Sequence, residues 1–288
     1  MVNIMKFFLG NCATNPKCYM LYVWLRPYGG TLSENPIDGV EYLFPDGFQY
    51  FIYNTELLSS IGLRVPKIIV SGHYNDGDFN YAIVECFKGI SFNEYMQGGG
   101  DVSIFADKIV DIMSKMSIHK RNYYGSPIET KPNYISAAQL IYNFYAEELN
   151  IASKFDNEIN DLKENILVLM KKKFSEIDEK EKQEYSLVHG ELTPPHIFIL
   201  DDGKIGLIDI EGVKYFDLEY DWAVIDLMYG GKIPMPNNIN MQKLEFYKIC
   251  LQIGYVSVAA DYLVNVDSNN IFFIDIREIN LRNIKMLI

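Results

Sequence analysis

Two of the chain's four histidines, His189 and His196, fall within a single octapeptide that also carries Glu191. Leu187 and Val188 lead into it, and Thr193-Pro194-Pro195 turns it. Ile197 to Leu200 and Ile205 to Ile208 follow as largely apolar, isoleucine-rich runs. Between them Asp201-Asp202-Gly203-Lys204 carries the Asp-Gly signal of a tight hairpin. A hairpin here returns the chain to the octapeptide and delivers Asp209 and Glu211 beside it. Glu191, His196 and Asp209 then converge as two carboxylates and an imidazole, a set suited to holding a divalent cation and orienting a hydroxyl.

The spacing H-x-E-x-x-x-x-H matches the kinase catalytic loop H-x-D-x-x-x-x-N, with Asp209 in the place of the later metal-binding Asp. Val188-His189-Gly190-Glu191-Leu192, then Ile208-Asp209-Ile210-Glu211, then Asp217-Leu218-Glu219-Tyr220-Asp221-Trp222-Ala223 keep one order and spacing. In that order they resemble the aminoglycoside phosphotransferase and choline-kinase group of small-molecule kinases, whose members read VHGDLxxxNxL, a hairpin, IDWE and a downstream DxxYDLA. Glu191 stands where that family has its catalytic Asp, and His196 where it has a metal-binding Asn. The resemblance implies that Glu191 is the catalytic carboxylate and that His196 and Asp209 hold Mg²⁺ against the phosphates of ATP or GTP. His189 is expected to brace the loop through hydrogen bonds.

At 288 residues, 49% hydrophobic and 14% aromatic, the chain is long enough to bury a substantial core in two lobes. No apolar run approaches the ~20 residues of a membrane span, and Met1 to Gly10 is too short for a cleavable signal peptide. Cys12, Cys18, Cys86 and Cys250 show neither CxxC spacing nor a disulfide framework. A soluble cytoplasmic protein with reduced thiols and no membrane partner is the expectation. The net charge of −12 argues against a nucleic-acid partner and is compatible with a cationic small-molecule acceptor, although solubility explains it equally well.

The elements that must position the octapeptide divide at Gly89. Residues 1–89 read as a small sheet-rich lobe with a hinge. Ile4 to Leu9 and Tyr19 to Leu25 are strand candidates separated by Gly10-Asn11-Cys12-Ala13-Thr14-Asn15, which reads as a phosphate-covering turn or as an ordinary hairpin turn. Gln49 to Ile61 is a helix candidate carrying Glu56, and Gly29 to Asp46 reads as a long loop or inserted hairpin. Tyr81 to Gly89 reads as a buried strand running into a linker. Kinases carry a phosphate-binding Lys on a small-lobe strand, paired with a helix Glu. Arg26, in Val23-Trp24-Leu25-Arg26-Pro27, resembles the family's VLR variant of that strand. Glu56 reads as an ordinary surface charge. The segment Glu85, Cys86 and Phe87 is similar to the family's hinge, which implies that its main-chain groups bind the purine edge.

Residues 90–288 change period from two to three or four and read as mainly helical. Phe105, Ile109, Ile112 and Met116 form one stripe, and Ile159, Leu162, Ile166 and Leu169 another. Trp222 to Tyr229, Leu244 to Ile253 and Tyr255 to Val264 read as helices that wall an acceptor site. The fold expected is therefore α+β, a two-lobe protein-kinase-like architecture. The activity expected is transfer of a γ-phosphoryl group to a hydroxyl of an aminoglycoside-like molecule, an amino-alcohol or a sugar. Two alternatives stay open: a pseudokinase that binds nucleotide without turnover, which the Glu at 191 and an unplaced Lys favour, and a metal-dependent hydrolase, which leaves the DxxYDWA segment unexplained.

Overall fold

A computed structural model describes residues 19–24, 39–74, 79–130, 133–177 and 184–288. Arg26, the strand candidate Ile4 to Leu9, the turn Gly10 to Asn15 and the first part of the Gly29 to Asp46 segment lie outside the described residues. The small lobe opens with β1 (Tyr19–Trp24), followed by α1 (Val40–Leu43), α2 (Phe48–Ser60), β2 (Ile68–Tyr74) and β3 (Phe79–Glu85). The strands form an antiparallel sheet in the order β1-β3-β2, with Tyr19 opposite Glu85 and Trp24 opposite Asn80. Strand alternation places Tyr22 and Trp24 on one face of β1. There Tyr22 stacks on Phe51 of α2 at 5.1 Å between centroids, and Trp24 packs on Phe48 and Phe51 at 5.4 and 5.2 Å. These aromatic contacts, with Leu58 fully buried on the same helix, seat α2 on the sheet.

The large lobe continues with β4 (Gly89–Ser91), α3 (Phe92–Gln97), α4 (Ala106–Ser117), β5 (Lys120–Arg121), α5 (Ala137–Ala152) and α6 (Asn157–Ser175). The site-bearing strands follow as β6 (Tyr185–Val188), β7 (Ile197–Leu200), β8 (Ile205–Leu207) and β9 (Lys214–Phe216), and the chain closes with α7 (Leu218–Tyr229), α8 (Met241–Asn265) and α9 (Ile271–Lys285). Two further small sheets, β4-β7-β8 and β5-β6-β9, lie side by side in sequence around the octapeptide. The sheet of β1, β2 and β3 is separate from β7 and β8, as a two-lobe kinase-like fold requires. Ser91 and Glu94 close a reciprocal cap on α3, and the stripe Ile109, Ile112 and Met116 of α4 is buried. No helix among the described residues is long and apolar enough to cross a membrane.

Three helical boundaries differ from the sequence expectation. The α7 helix starts at Leu218, not Trp222, so the acidic DLEYDWA segment forms its cap and first turns. Gly254 does not divide α8, which runs unbroken for 25 residues. A Cβ at Gly254 would meet Tyr145 Cε1 at 2.5 Å, so the glycine that lowers helix propensity by about 1 kcal/mol is what lets α5 and α8 approach. The third is α9, which sequence periodicity did not single out. Arg277 ties it to the start of α6, through Asp156 at 2.6 Å and Glu158 at 2.8 Å.

Gly89 meets a stricter requirement. Its φ is +148°, and a Cβ there would lie 2.1 Å from the Ile199 carbonyl oxygen of β7. Gly89→Ala is expected to destabilise the protein by at least about 2 kcal/mol, a Tm loss of roughly 4–8 °C by calorimetry. An unchanged Tm would show that β4 can part from β7 freely.

Glu148 of α5 is buried against α8, and burial, with the charges of Glu147 and Asp261 adding, pushes its carboxyl up to about 7. A raised carboxyl binds its proton more tightly in the folded state. Stability from this group is therefore full below its ordinary value near 4.5 and is lost as pH rises through about 7. Glu148→Gln is expected to raise stability at pH 8 by on the order of 3 kcal/mol and to leave it unchanged near pH 4, read as denaturant midpoints. Equal midpoints for variant and wild type at pH 8 would show that the carboxyl reaches water.

Candidate functional site

Strand β6 carries the chain into the octapeptide, and α7 holds it from below. Asp221, in the first turn of α7, accepts hydrogen bonds from the backbone N–H groups of His189 and Gly190, both at 2.8 Å. Burial raises the Asp221 carboxyl, and these two N–H groups oppose that rise. His189 is fully buried. Its Nε2 lies 3.1 Å from the Ile208 carbonyl, which can only accept, so Nε2 carries the proton and Nδ1 faces the Glu191 N–H at 3.4 Å. Burial, reinforced by the neighbouring His196, depresses His189 to about 3. It is a neutral brace between the octapeptide and the end of β8 and stays uncharged at neutral pH.

Pro194 to His196 form a 3₁₀ turn closed by His196 N–H to the Thr193 carbonyl at 3.0 Å. That turn aims both imidazole nitrogens. Nδ1 faces the Glu191 carbonyl at 3.0 Å, another group that can only accept, so the Nδ1 proton is spent there. Nε2 then turns its lone pair toward Asp209 Oδ2, 3.2 Å away. A neutral imidazole and a carboxylate in that relation repel, and either a second proton or a cation between them relieves it. The contact between Nδ1 and a main-chain carbonyl is also the usual way a metal-ligating histidine is oriented.

Asp209 completes the cluster at a cost in backbone conformation. Its φ of +57° is the one positive value at a non-glycine residue among the described residues, and Asp is one of the side chains that tolerate it. One ligand atom from each of Glu191, His196 and Asp209 lies within 4.8 Å of the others. Two carboxylates and an imidazole with a free Nε2 fit a divalent cation, although Mg²⁺ takes oxygen donors in preference to nitrogen. Glu191 is exposed, yet partial desolvation of its carboxyl raises it, opposed by His196 and reinforced by Asp209.

Behind Gly190 lies Lys214 of β9, buried, its ammonium 5.2 Å from the Tyr220 ring centroid and 5.7 Å from that of Phe216. Burial lowers it to about 8, opposed by Asp221 and Glu191. Gly190 has φ +88°, and a Cβ there would lie 2.6 Å from Lys214 Nζ. On α7 and α8, the expected acceptor wall, Tyr220 is buried and Tyr255 half-buried, and burial raises both phenols with the Glu191 charge adding. Asp226 and Glu245 are paired with Lys248, at 2.8 and 3.3 Å.

On the small-lobe side Glu85 ends β3 and forms an ion pair with Arg64. The Arg64 guanidinium also lies 5.0 Å from the Phe87 ring centroid, and Phe87 packs on Phe198 of β7. Cys86 is half-buried, and its thiol donates to the Phe87 carbonyl, Sγ to O 3.7 Å. Glu56 is exposed. Three residues that sequence reasoning passed over face the Asp209 loop instead. Trp24 Nε1 donates to Glu211 Oε1 at 2.8 Å, and Asn54 Nδ2 of α2 donates to the Ile210 and Glu211 carbonyls at 2.8 and 3.0 Å. The third is Tyr22, whose buried phenol is raised by burial and by the charges of Asp209 and Glu211. Strand alternation marks Tyr22 and Trp24 as one face, but nothing local to Asn54 announces its contacts. Burial, with Asp46 and Asp209 adding and Trp24 opposing, pushes the Glu211 carboxyl up to about 8.

No family model matches the sequence, and no curated protein matches it. Solved structures do. A thermostable mutant of aminoglycoside phosphotransferase APH(4)-Ia superposes with a TM-score of 0.62 at 13% identity, covering 99% of this chain and 94% of that one. Choline kinase LicA from Streptococcus pneumoniae superposes with a TM-score of 0.58 at 13% identity, over 94% and 86%. Spectinomycin phosphotransferase APH(9)-Ia, in complex with ADP and spectinomycin, gives 0.57 at 10% identity, over 96% and 88%.

Proposed function

The chain has the two-lobe, protein-kinase-like fold of the aminoglycoside phosphotransferases and choline kinase LicA, and from that premise we propose that it is a phosphotransferase. It moves the γ-phosphoryl group of ATP or GTP to a hydroxyl of a small molecule, with Mg²⁺. The observation that carries this reading is the convergence of Glu191, His196 and Asp209 within 4.8 Å, in a fold whose neighbours include complexes with ADP and with AMP. Glu191 accepts or orients the acceptor's hydroxyl proton. His196 Nε2 and the Asp209 carboxylate are the groups that would hold Mg²⁺, which when bound neutralises charge on the phosphates. The nucleotide base lies against the main chain of Glu85, Cys86 and Phe87, with the lobes divided at Gly89, and Arg26 belongs to the nucleotide side. The acceptor lies on the side of α7 and α8. Its class is an aminoglycoside-like molecule, an amino-alcohol or a sugar.

A second reading, a nucleotide-binding pseudokinase, is favoured by Tyr22 and Trp24. These uncharged rings occupy one face of β1, which by the Val23-Trp24-Leu25-Arg26 resemblance stands for the kinase third strand that carries the phosphate-binding lysine. A thermal-shift screen of ATP, GTP and ADP with Mg²⁺, crossed with aminoglycosides, choline-like amines and sugars, separates the readings. Phosphorylated acceptor with concomitant ADP or GDP identifies the phosphotransferase. Nucleotide-dependent stabilisation without product identifies the pseudokinase, and no response to any nucleotide removes both.

A further inference from the structure

The loop bearing Asp209 is clamped from two directions. From the large lobe, the Ile208 N–H donates to the His196 carbonyl at 3.0 Å and His189 Nε2 donates to the Ile208 carbonyl at 3.1 Å. These hold the residue before Asp209. From the small lobe, Asn54 Nδ2 takes the carbonyls of Ile210 and Glu211, and Trp24 Nε1 takes the Glu211 carboxyl. These hold the two residues after it. Asp209 itself sits between the clamps at φ +57°.

We propose that Asn54 and Trp24 are positioning residues for the candidate metal site: through uncharged hydrogen bonds they hold the Asp209 loop in the conformation that turns its carboxylate toward His196 and Glu191. The proposal rests on the phosphotransferase reading. Asn54 is fully buried on α2, and its Oδ1 has no hydrogen-bond partner among the described residues. An orphaned buried acceptor is a liability that an apolar side chain of similar size would avoid. Helix packing alone therefore does not account for an asparagine at this position, whereas two carbonyls needing donors do. Trp24 adds a second anchor from a different element, so α2 and β1 grip the loop jointly. Any movement of the small lobe against the large one is then transmitted to Asp209. In kinases a charged Lys–Glu pair couples strand and helix, whereas in this chain the strand and the helix each reach the metal-bearing loop directly.

The test measures Mn²⁺ affinity in the presence of ADP, by electron paramagnetic resonance of free Mn²⁺, for folded wild type and variants. Asn54→Leu removes both amide donors, and Trp24→Phe removes the indole N–H while keeping a ring against Phe48 and Phe51. Each is expected to weaken Mn²⁺ by about 10–100-fold, the usual effect of losing an outer-shell partner. Leu58→Ala, which truncates a fully buried side chain one turn further along the same helix and removes no hydrogen-bond donor, is the stability control and is expected to lower Tm while leaving Mn²⁺ affinity at the wild-type value. Wild-type affinity in Asn54→Leu and Trp24→Phe, with affinity lost in Asp209→Asn, overturns the positioning role and leaves the phosphotransferase reading standing. A loss in Leu58→Ala equal to that in Asn54→Leu overturns it too, since the effect then belongs to general stability. If Asp209→Asn keeps full affinity, or wild type binds no Mn²⁺ with ADP, the phosphotransferase reading falls and the positioning role with it. Should Asn54→Leu fail to fold, Trp24→Phe decides by the same criterion.

Discussion

Asp209→Ala is expected to abolish Mg²⁺-dependent nucleotide binding while the protein stays folded. Asp209 contributes one of the two carboxylates in the cluster, and its Oδ2 faces His196 Nε2 at 3.2 Å. Without it a divalent cation keeps one imidazole and the exposed Glu191. The loss in affinity for Mg²⁺–ADP, measured by calorimetry, should exceed the about 10–100-fold typical of removing an outer-shell partner. Backbone conformation supplies an internal control. At φ +57° an alanine is strained by roughly 1–2 kcal/mol, whereas asparagine tolerates that region. Asp209→Ala should therefore lower Tm as well as metal affinity, and Asp209→Asn should lower metal affinity with the smaller effect on Tm. Metal-dependent affinity at the wild-type level in both variants would remove Asp209 from the site.

The octapeptide and its hairpin were legible because their signals are local. An Asp-Gly turn between two isoleucine-rich runs specifies β7 and β8, and that hairpin alone brings Asp209 back beside His196. The contacts that decide how the loop is held are long-range, and single-sequence patterns do not carry them. Asn54 reads as one more polar residue in a helix of mixed composition, and only the approach of α2 to residues 210 and 211 gives it a role. Trp24 reads as a core aromatic until its indole N–H is seen against Glu211. Gly254 misled in the opposite sense, because a glycine that looks like a helix break locally is required by the Tyr145 ring packed against it. Asp226 and Glu245 look alike in sequence as free acidic groups, and only the folded chain brings Lys248 to both.

The carboxylate length at position 191 turns this geometry into a rate. The main chain of Glu191 is held on both sides, by Thr193 N–H to its carbonyl at 2.8 Å, by His196 Nδ1 to the same oxygen, and by its own N–H to His189. The double-proline turn that follows leaves little freedom to compensate. Glu191→Asp therefore withdraws the carboxylate by about the length of one methylene, and a misplacement on the order of 1 Å can lower a rate by about 10²-fold. Turnover with the acceptor found in the screen should fall by roughly that factor. The alternative outcome, a gain, would mean that the loop retains the geometry of the usual Asp and that Glu191 is the poorer base. Glu191→Gln keeps the length and removes the charge, so it isolates proton acceptance and should lower kcat by about 10²–10⁴-fold. With the Mg²⁺–nucleotide affinity measured alongside, a loss confined to kcat assigns Glu191 to the acceptor's hydroxyl, and a parallel loss of metal affinity assigns it to the cation. Full activity in Glu191→Gln would show that the proton goes elsewhere.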